Sequence, residues 1–232
     1  MTILRVLDFE TTALSPDDGV VIEVGYSDYD VEAKTISDPV SWLCGADSVP
    51  PENRAVHHIT LAELDGLEPF NDHAKAEIVS GAYAVAAHNA EFEASFLGDP
   101  GIPFICTYKA ALRVWPDAPS HSNAALAYWL EDQGLITFDH AKIVPTHRAG
   151  PDAYVTAHIL KALIEAGASG RDMIAWSKEP RLLPRITFGK HKGADWKDAP
   201  RSYLDWMIGS DMEDDFKWNA RREIERRNGA SK

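Results

Sequence analysis

The chain is poor in cysteine and has no excess of positive charge. Its 232 residues include two cysteines, Cys44 and Cys106, and no CxxC pair. That excludes a disulfide scaffold and a cysteine-based zinc site. No apolar run approaches the about 20 residues of a membrane span. The opening residues, MTILRVLDFETT, are too short and too acidic for a secretory leader, so the chain is expected to be cytoplasmic. Lys and Arg total 23 against 36 Asp and Glu, a formal charge of −13, which excludes a broad electrostatic face for nucleic acid. Internal repeats and low-complexity tracts are missing too. What remains is ordinary globular usage, with 45% hydrophobic and 25% charged residues, enough for a core that needs no staples.

The charge is unevenly spread. Residues 178–201 hold seven basic and three acidic side chains, whereas 1–177 is strongly acidic. An acidic body is mostly a solvated surface. Some of its carboxylates can instead converge on metal ions.

The pattern mixes strands and helices. Ile3–Asp8 and Gly19–Tyr26 read as buried strands, joined by the turn SPDDG. Ile36–Cys44 reads as a weaker third strand, and Pro50 and Pro51 break the chain after it. Ala82–Ala87 and Phe104–Cys106 are further strands. Helices are expected at Ala74–Val79, Glu91–Leu97, Tyr108–Trp115, Ser122–Glu131 and Asp152–Glu165. In the last of these, Val155, Ile159, Leu160 and Leu163 recur at helical spacing and Gly167 suits the end. Strands followed by strand–helix alternation predict an α/β fold with a mixed sheet flanked by helices. Two prolines in SKEPRLLPR mark a linker at 178–185, between a domain at 1–177 and a small C-terminal module at 186–232. In that module Ile186–Gly193 reads as a strand-like start with a glycine turn, and Arg201–Ile208 and Asp214–Arg227 as helices.

Four segments carry chemistry. In Asp8-Phe9-Glu10-Thr11-Thr12, residues two apart on a strand share a face, so Asp8 and Glu10 present two carboxylates at a strand end. Paired hard oxygens there suit Mg²⁺ or Mn²⁺, though a polar strand end looks the same. In His88-Asn89-Ala90-Glu91-Phe92-Glu93 a strand gives way to a helix. His88 and Asn89 can order the loop, and Glu93 lies in the first helical turn, where a carboxylate also simply favours the dipole. In His147-Arg148-Ala149-Gly150-Pro151-Asp152, Pro151 fits a helix start and Asp152 its N-terminal turn, as ligand or as cap. His147, on the preceding loop, is a candidate general base or a plain surface histidine. The fourth is Ile105-Cys106-Thr107 with Ala111–Pro116, together with the tail, Thr187–Gly193 and Tyr203-Leu204-Asp205-Trp206.

Taken in order, DFETT, HNAEF and HRAGPD resemble the three motifs of the DEDDh, or DnaQ-like, 3′→5′ exonucleases, which have a ribonuclease H-like fold. Val56-His57-His58-Ile59-Thr60 is similar to that family's IHGIT segment, which lines the pocket for the terminal nucleotide. Ile105-Cys106-Thr107, Ala111–Pro116 and the tail look like the exonuclease X branch, so the resemblance spans almost the whole chain. One departure stands out: the second motif of the family ends in aspartate, and here that position is Glu93.

The resemblance implies two-metal hydrolysis of DNA from its 3′ end, releasing 5′-mononucleotides. Asp8, Glu10 and Asp152 would hold two divalent ions, Mg²⁺ or Mn²⁺, with Glu93 supporting the second, and His147 would take the proton of the attacking water. Thr11, Thr12, Leu14, His57, Ile59, His88 and Asn89 would line the terminal nucleotides, and Lys190 and Lys192 would contact backbone phosphates. The expected partner is a DNA 3′ end, single-stranded or frayed. An RNA or oligonucleotide substrate, and a binding module weakened in turnover by the longer Glu93 arm, are the alternatives that this reading carries.

Overall fold

The computed structural model describes residues 1–230. The chain begins with a long antiparallel pair, β1 (Ile3–Thr11) and β2 (Val21–Asp30), with Leu4 opposite Tyr29 and Asp8 opposite Gly25. The first strand runs three residues beyond the expected Asp8, because Glu10 still pairs with Glu23 before the register slips at Thr11. The expected third strand is split in two. β3 (Thr35–Ile36) pairs the far end of β2, and β4 (Val40–Leu43) pairs its start. Pro39 lies between them and has no N–H to give to a ladder.

Pro50 and Pro51 do more than break the chain. Pro51 opens α1 (Pro51–His57), where a missing N–H costs nothing. A short α2 (Leu61–Leu64) follows, closed by a capping box between Thr60 and Glu63. Neither helix was legible as such. α3 (Asp72–Val79) is capped by the Asn71 side chain. β5 (Ala84–Ala87) leads into α4 (Glu91–Leu97), and β6 (Phe104–Cys106) into α5 (Thr107–Val114). β5 pairs β1 and β6 pairs β5, both in parallel, so the mixed sheet runs β3-β2-β1-β5-β6, with β4 also on β2.

α6 (Asn123–Asp132) and α7 (Ala149–Glu165) cover one face of the sheet. There Leu4, Val6, Ala84, Ala86, Ile159, Leu160 and Leu163 form the main core, and each buried Leu or Ile is worth about 1.5–3 kcal/mol. The other face of β1, Leu7 and Phe9, packs on Val21, Val24, Ile78, Val85 and Phe96. α8 (Gly170–Lys178), which sequence patterning does not mark, is capped by Ser169 and runs to the expected linker.

Beyond it, Leu183, Ile186, Trp196, Leu204, Met207, Ala220 and Ile224 make a separate apolar cluster with α9 (Arg201–Gly209) and α10 (Asp214–Ala230). Of the expected strand-like start and glycine turn at Ile186–Gly193, only the turn forms. It is closed by Ile186 N–H to the Ala194 carbonyl and Gly193 N–H to that of Ile186, with a 3₁₀ turn at Gly189–His191. No strand flanks it among the described residues, and its glycines adopt positive φ, at Gly189 (65°) and Gly193 (86°). No helix is long and apolar enough to cross a membrane among the described residues.

Candidate active site

Leu4, Val6, Asp8 and Glu10 share one face of β1, the face that α7 crosses. Asp8 and Glu10 thus stand under the first turn of α7, which carries Asp152. One carboxylate oxygen from each of the three lies within 4.8 Å of the others. Glu93 comes in from α4, next to β5, the parallel neighbour of β1. It is only 3% exposed, and its Oε2 has no hydrogen-bond partner. It stands outside the 4.8 Å set but close enough to be the strongest charged influence on Asp8.

Acids packed this way resist ionisation. Burial, and then the charges of Glu93, Glu10 and Asp152, hold the Asp8 carboxyl well above the usual range. Burial with Asp152 and Glu23 as neighbours pushes Glu10 up to about 8, against a downward pull from Arg148. Glu93 rises to about 8, again through burial first, and burial also raises Asp152.

Two residues that the motifs do not contain position α7. Glu23, the cross-strand partner of Glu10, is 1% exposed. It accepts from Arg148 Nε (2.8 Å), Arg148 Nη2 (2.9 Å) and the Ala149 N–H (3.1 Å), and so ties down the start of the helix. Gly25, opposite Asp8, lets the helix backbone touch the strand: a Cβ there would lie 2.1 Å from the Ala149 carbonyl carbon and 2.2 Å from Gly150 N. Both left a trace in the apolar run GVVIEVGY, as a charge inside a buried strand and a glycine in mid-strand.

The remaining candidates separate into groups. His147 is exposed on the loop before α7 with φ 57°, and its backbone N–H donates to Asp152 Oδ2 at 3.1 Å. Thr11 and Thr12 lie at the strand end, but both hydroxyls serve the loop. Thr11 Oγ1 donates to the Ala13 carbonyl and Thr12 Oγ1 accepts from Val20 N–H. Leu14, at the tip of that loop, is 85% exposed. His57 is buried with Nδ1 accepting from Ile59 N–H. Its Nε2 is without a partner, and burial lowers its pKa.

Ile59 is 1% exposed and packs with Ile22 and Leu64, so it has no free face for a base. His88 is likewise committed to the fold. Its ring nitrogens meet Thr107 Oγ1 at 3.0 Å and the His121 carbonyl at 2.7 Å, and burial drops its pKa to about 4. Asn89 holds a left-handed turn (φ 68°) whose carbonyl accepts from Phe92 N–H. Lys190 and Lys192 sit apart, on the exposed turn of the C-terminal segment. A cleft of about 750 Å³ is lined by Val20, Asp47, Leu61, Asp65 and Leu67 among others and by none of the four acids.

No protein-family model matches the chain. Curated proteins and solved structures do. The chain is 30% identical to exodeoxyribonuclease 10 of Escherichia coli strain K12 over 217 residues, 89% of this chain and 91% of the relative. A solved structure of exonuclease X in complex with 5′ overhanging duplex DNA superposes with a TM-score of 0.62 at 28% identity, covering 75% of this chain and 99% of that one. The zinc-bound E. coli ExoI–single-stranded DNA complex shares the fold at a TM-score of 0.56 and 16% identity, covering 76% of this chain and 42% of that one. Its mixed sheet is thus the ribonuclease H-like sheet of these nucleases. The chain belongs to the exodeoxyribonuclease 10 family, the exonuclease X branch of the DEDDh 3′–5′ exonucleases.

Proposed function

We propose that this enzyme hydrolyses the terminal phosphodiester of DNA 3′ ends and releases 5′-mononucleotides, with divalent cations held by Asp8, Glu10 and Asp152. The observation that carries this reading is the carboxylate cluster itself. Three oxygens lie within 4.8 Å, a fourth acid has an orphaned buried oxygen, and Arg148, the cation that most affects Glu10, is engaged by Glu23. Such a set is held together poorly by protons and well by a hard cation, and its all-oxygen donors suit Mg²⁺ or Mn²⁺. When bound, two such ions would stabilise the attacking and leaving oxygens of the displacement.

The protein's own residues do the rest. Glu93 would bring a fourth carboxylate from α4, buried and near enough to Asp8 to raise its pKa. His147 would accept the proton of the attacking water, a role supported by its exposure and by the hydrogen bond from its backbone N–H to Asp152. Leu14 offers an exposed apolar surface for the terminal base, whereas His57, 2% exposed, serves the fold. DNA is preferred as substrate because the exodeoxyribonuclease relative covers almost the whole chain.

The test is release of mononucleotides from a 3′-labelled DNA strand with Mg²⁺ and, separately, Mn²⁺, beside Asp8→Ala. Metal-dependent release that disappears in Asp8→Ala is expected. No release with either metal from a folded protein that still binds DNA would overturn the catalytic reading in favour of a binding module.

A further inference from the structure

We infer that the C-terminal segment carries a second, non-catalytic site, a stacking platform for an unpaired DNA base and its phosphate, built on Tyr203, Trp206 and Lys190. The inference rests on DNA being the substrate.

The platform is assembled from sequence upward. Tyr203 and Trp206 are three apart on α9 and so lie on one side of it. Their rings stack, 5.4 Å apart at 25°. The turn before α9 closes over the edge of Tyr203. Gly189 at φ 65° brings its backbone to where a Cβ would lie 2.7 Å from the tyrosine hydroxyl. That turn sets the His191 ring 4.5 Å from Tyr203 and the Lys190 ammonium 5.7 Å from the ring centre. The Tyr203 side chain is thereby locked from one side, while Trp206 stays 54% exposed. Lys190, Ser202, Tyr203 and Trp206 line a cleft of about 310 Å³.

The apolar cluster beneath is already complete without Trp206, so packing does not explain an exposed indole stacked in register with a second ring. Charge identifies the occupant. Lys190 and Lys192 enter no ion pair among the described residues, although the chain as a whole carries −13. The Lys190 ammonium, in no ion pair and beside a flat aromatic face, matches a nucleobase with its phosphate, since base stacking is sequence-tolerant and lysines follow the backbone. The site would hold the single strand away from the catalytic carboxylates and raise affinity for longer strands.

Binding of 5′-fluorescein oligo(dT) of about 20 nucleotides to the full chain is measured by anisotropy in EDTA, where hydrolysis is blocked. Trp206→Ala is expected to weaken binding about tenfold, Trp206→Phe to recover most of it, and Lys190→Ala to reduce the salt slope by about one. Tyr83→Ala, which removes another exposed aromatic ring, is the control and should bind as wild type. Trp206→Ala within about twofold of wild type would overturn the platform while leaving metal-dependent hydrolysis untouched. Absence of both oligonucleotide binding and hydrolysis in the wild type would instead remove the DNA reading, and the platform with it.

Discussion

Replacing Gly25 by alanine tests whether the carboxylate cluster depends on one close backbone approach. The added methyl would sit 2.1 Å from the Ala149 carbonyl carbon, 2.2 Å from Gly150 N and 2.3 Å from the Ala149 oxygen. Those atoms are helix backbone and cannot swing aside. Reaching ordinary contact at 3.4 Å requires the start of α7 to retreat from β2 by about 1.3 Å. Overpacking of this kind costs about 1–3 kcal/mol. The larger effect falls on chemistry, because the same turn carries Asp152, and a misplacement of about 1 Å can cost about 10²-fold in rate. Chemical denaturation should show the modest stability loss, and mononucleotide release the large activity loss. Gly150→Ala is the matched control. Its Cβ would meet Ser41 Cβ and Oγ at 3.2 Å and Pro39 Cβ at 3.7 Å, contacts that a few tenths of an ångström relieve, so stability should change by less than about 1 kcal/mol. Gly25→Ala with wild-type release, or with a stability loss and no activity loss, would refute the argument that this contact places Asp152.

Arg148→Ala strips the bidentate partner from Glu23, a carboxylate 1% exposed, and leaves it with the Ala149 N–H alone. A loss of about 3 kcal/mol in denaturant titration is expected, and a change below about 0.5 kcal/mol would contradict it. The raised carboxyls make stability depend on pH in a definite direction. Glu10 and Glu93 titrate near 4.5 when unfolded and near 8 when folded, so between those values the folded state binds more protons. Metal-free protein should therefore be most stable below about pH 4.5 with respect to these groups and lose that contribution as pH rises to about 8. Added Mg²⁺ or Mn²⁺ should raise the melting temperature more at pH 8 than at pH 6, and an equal rise at both would count against the cluster as the metal site.

Local rules are enough for much of this molecule. Alternation along β1 places Asp8 and Glu10 on one face, and the proline and the apolar spacing after it place Asp152 in a first helical turn. The strand–helix junction at 87–93 puts Glu93 at the sheet's open end. These depend only on backbone period, which each short segment carries in itself. Where side-chain supply is ambiguous, local rules fail. Helices α1, α2 and α8 were invisible because their starts rest on a proline, a capping box and a single serine cap with no long apolar stripe, and the start of Ile186–Gly193 had strand-like residues but no neighbouring strand to pair. The fates of His88 and Ile59 were equally hidden, since a histidine or an isoleucine reads alike whether it faces a ligand or its own core.

The sequence by itself determined which carboxylates are available and on which face of which element each one stands. Only the tertiary structure decided that α7 lies close enough to β2 at Gly25, and is tied firmly enough by Glu23 and Arg148, to bring Asp152 down onto Asp8 and Glu10. It also decided that those acids are half-buried together and resist ionisation. The reason is physical: spacing along a chain sets direction, whereas distance and burial between segments 140 residues apart are set by what packs between them.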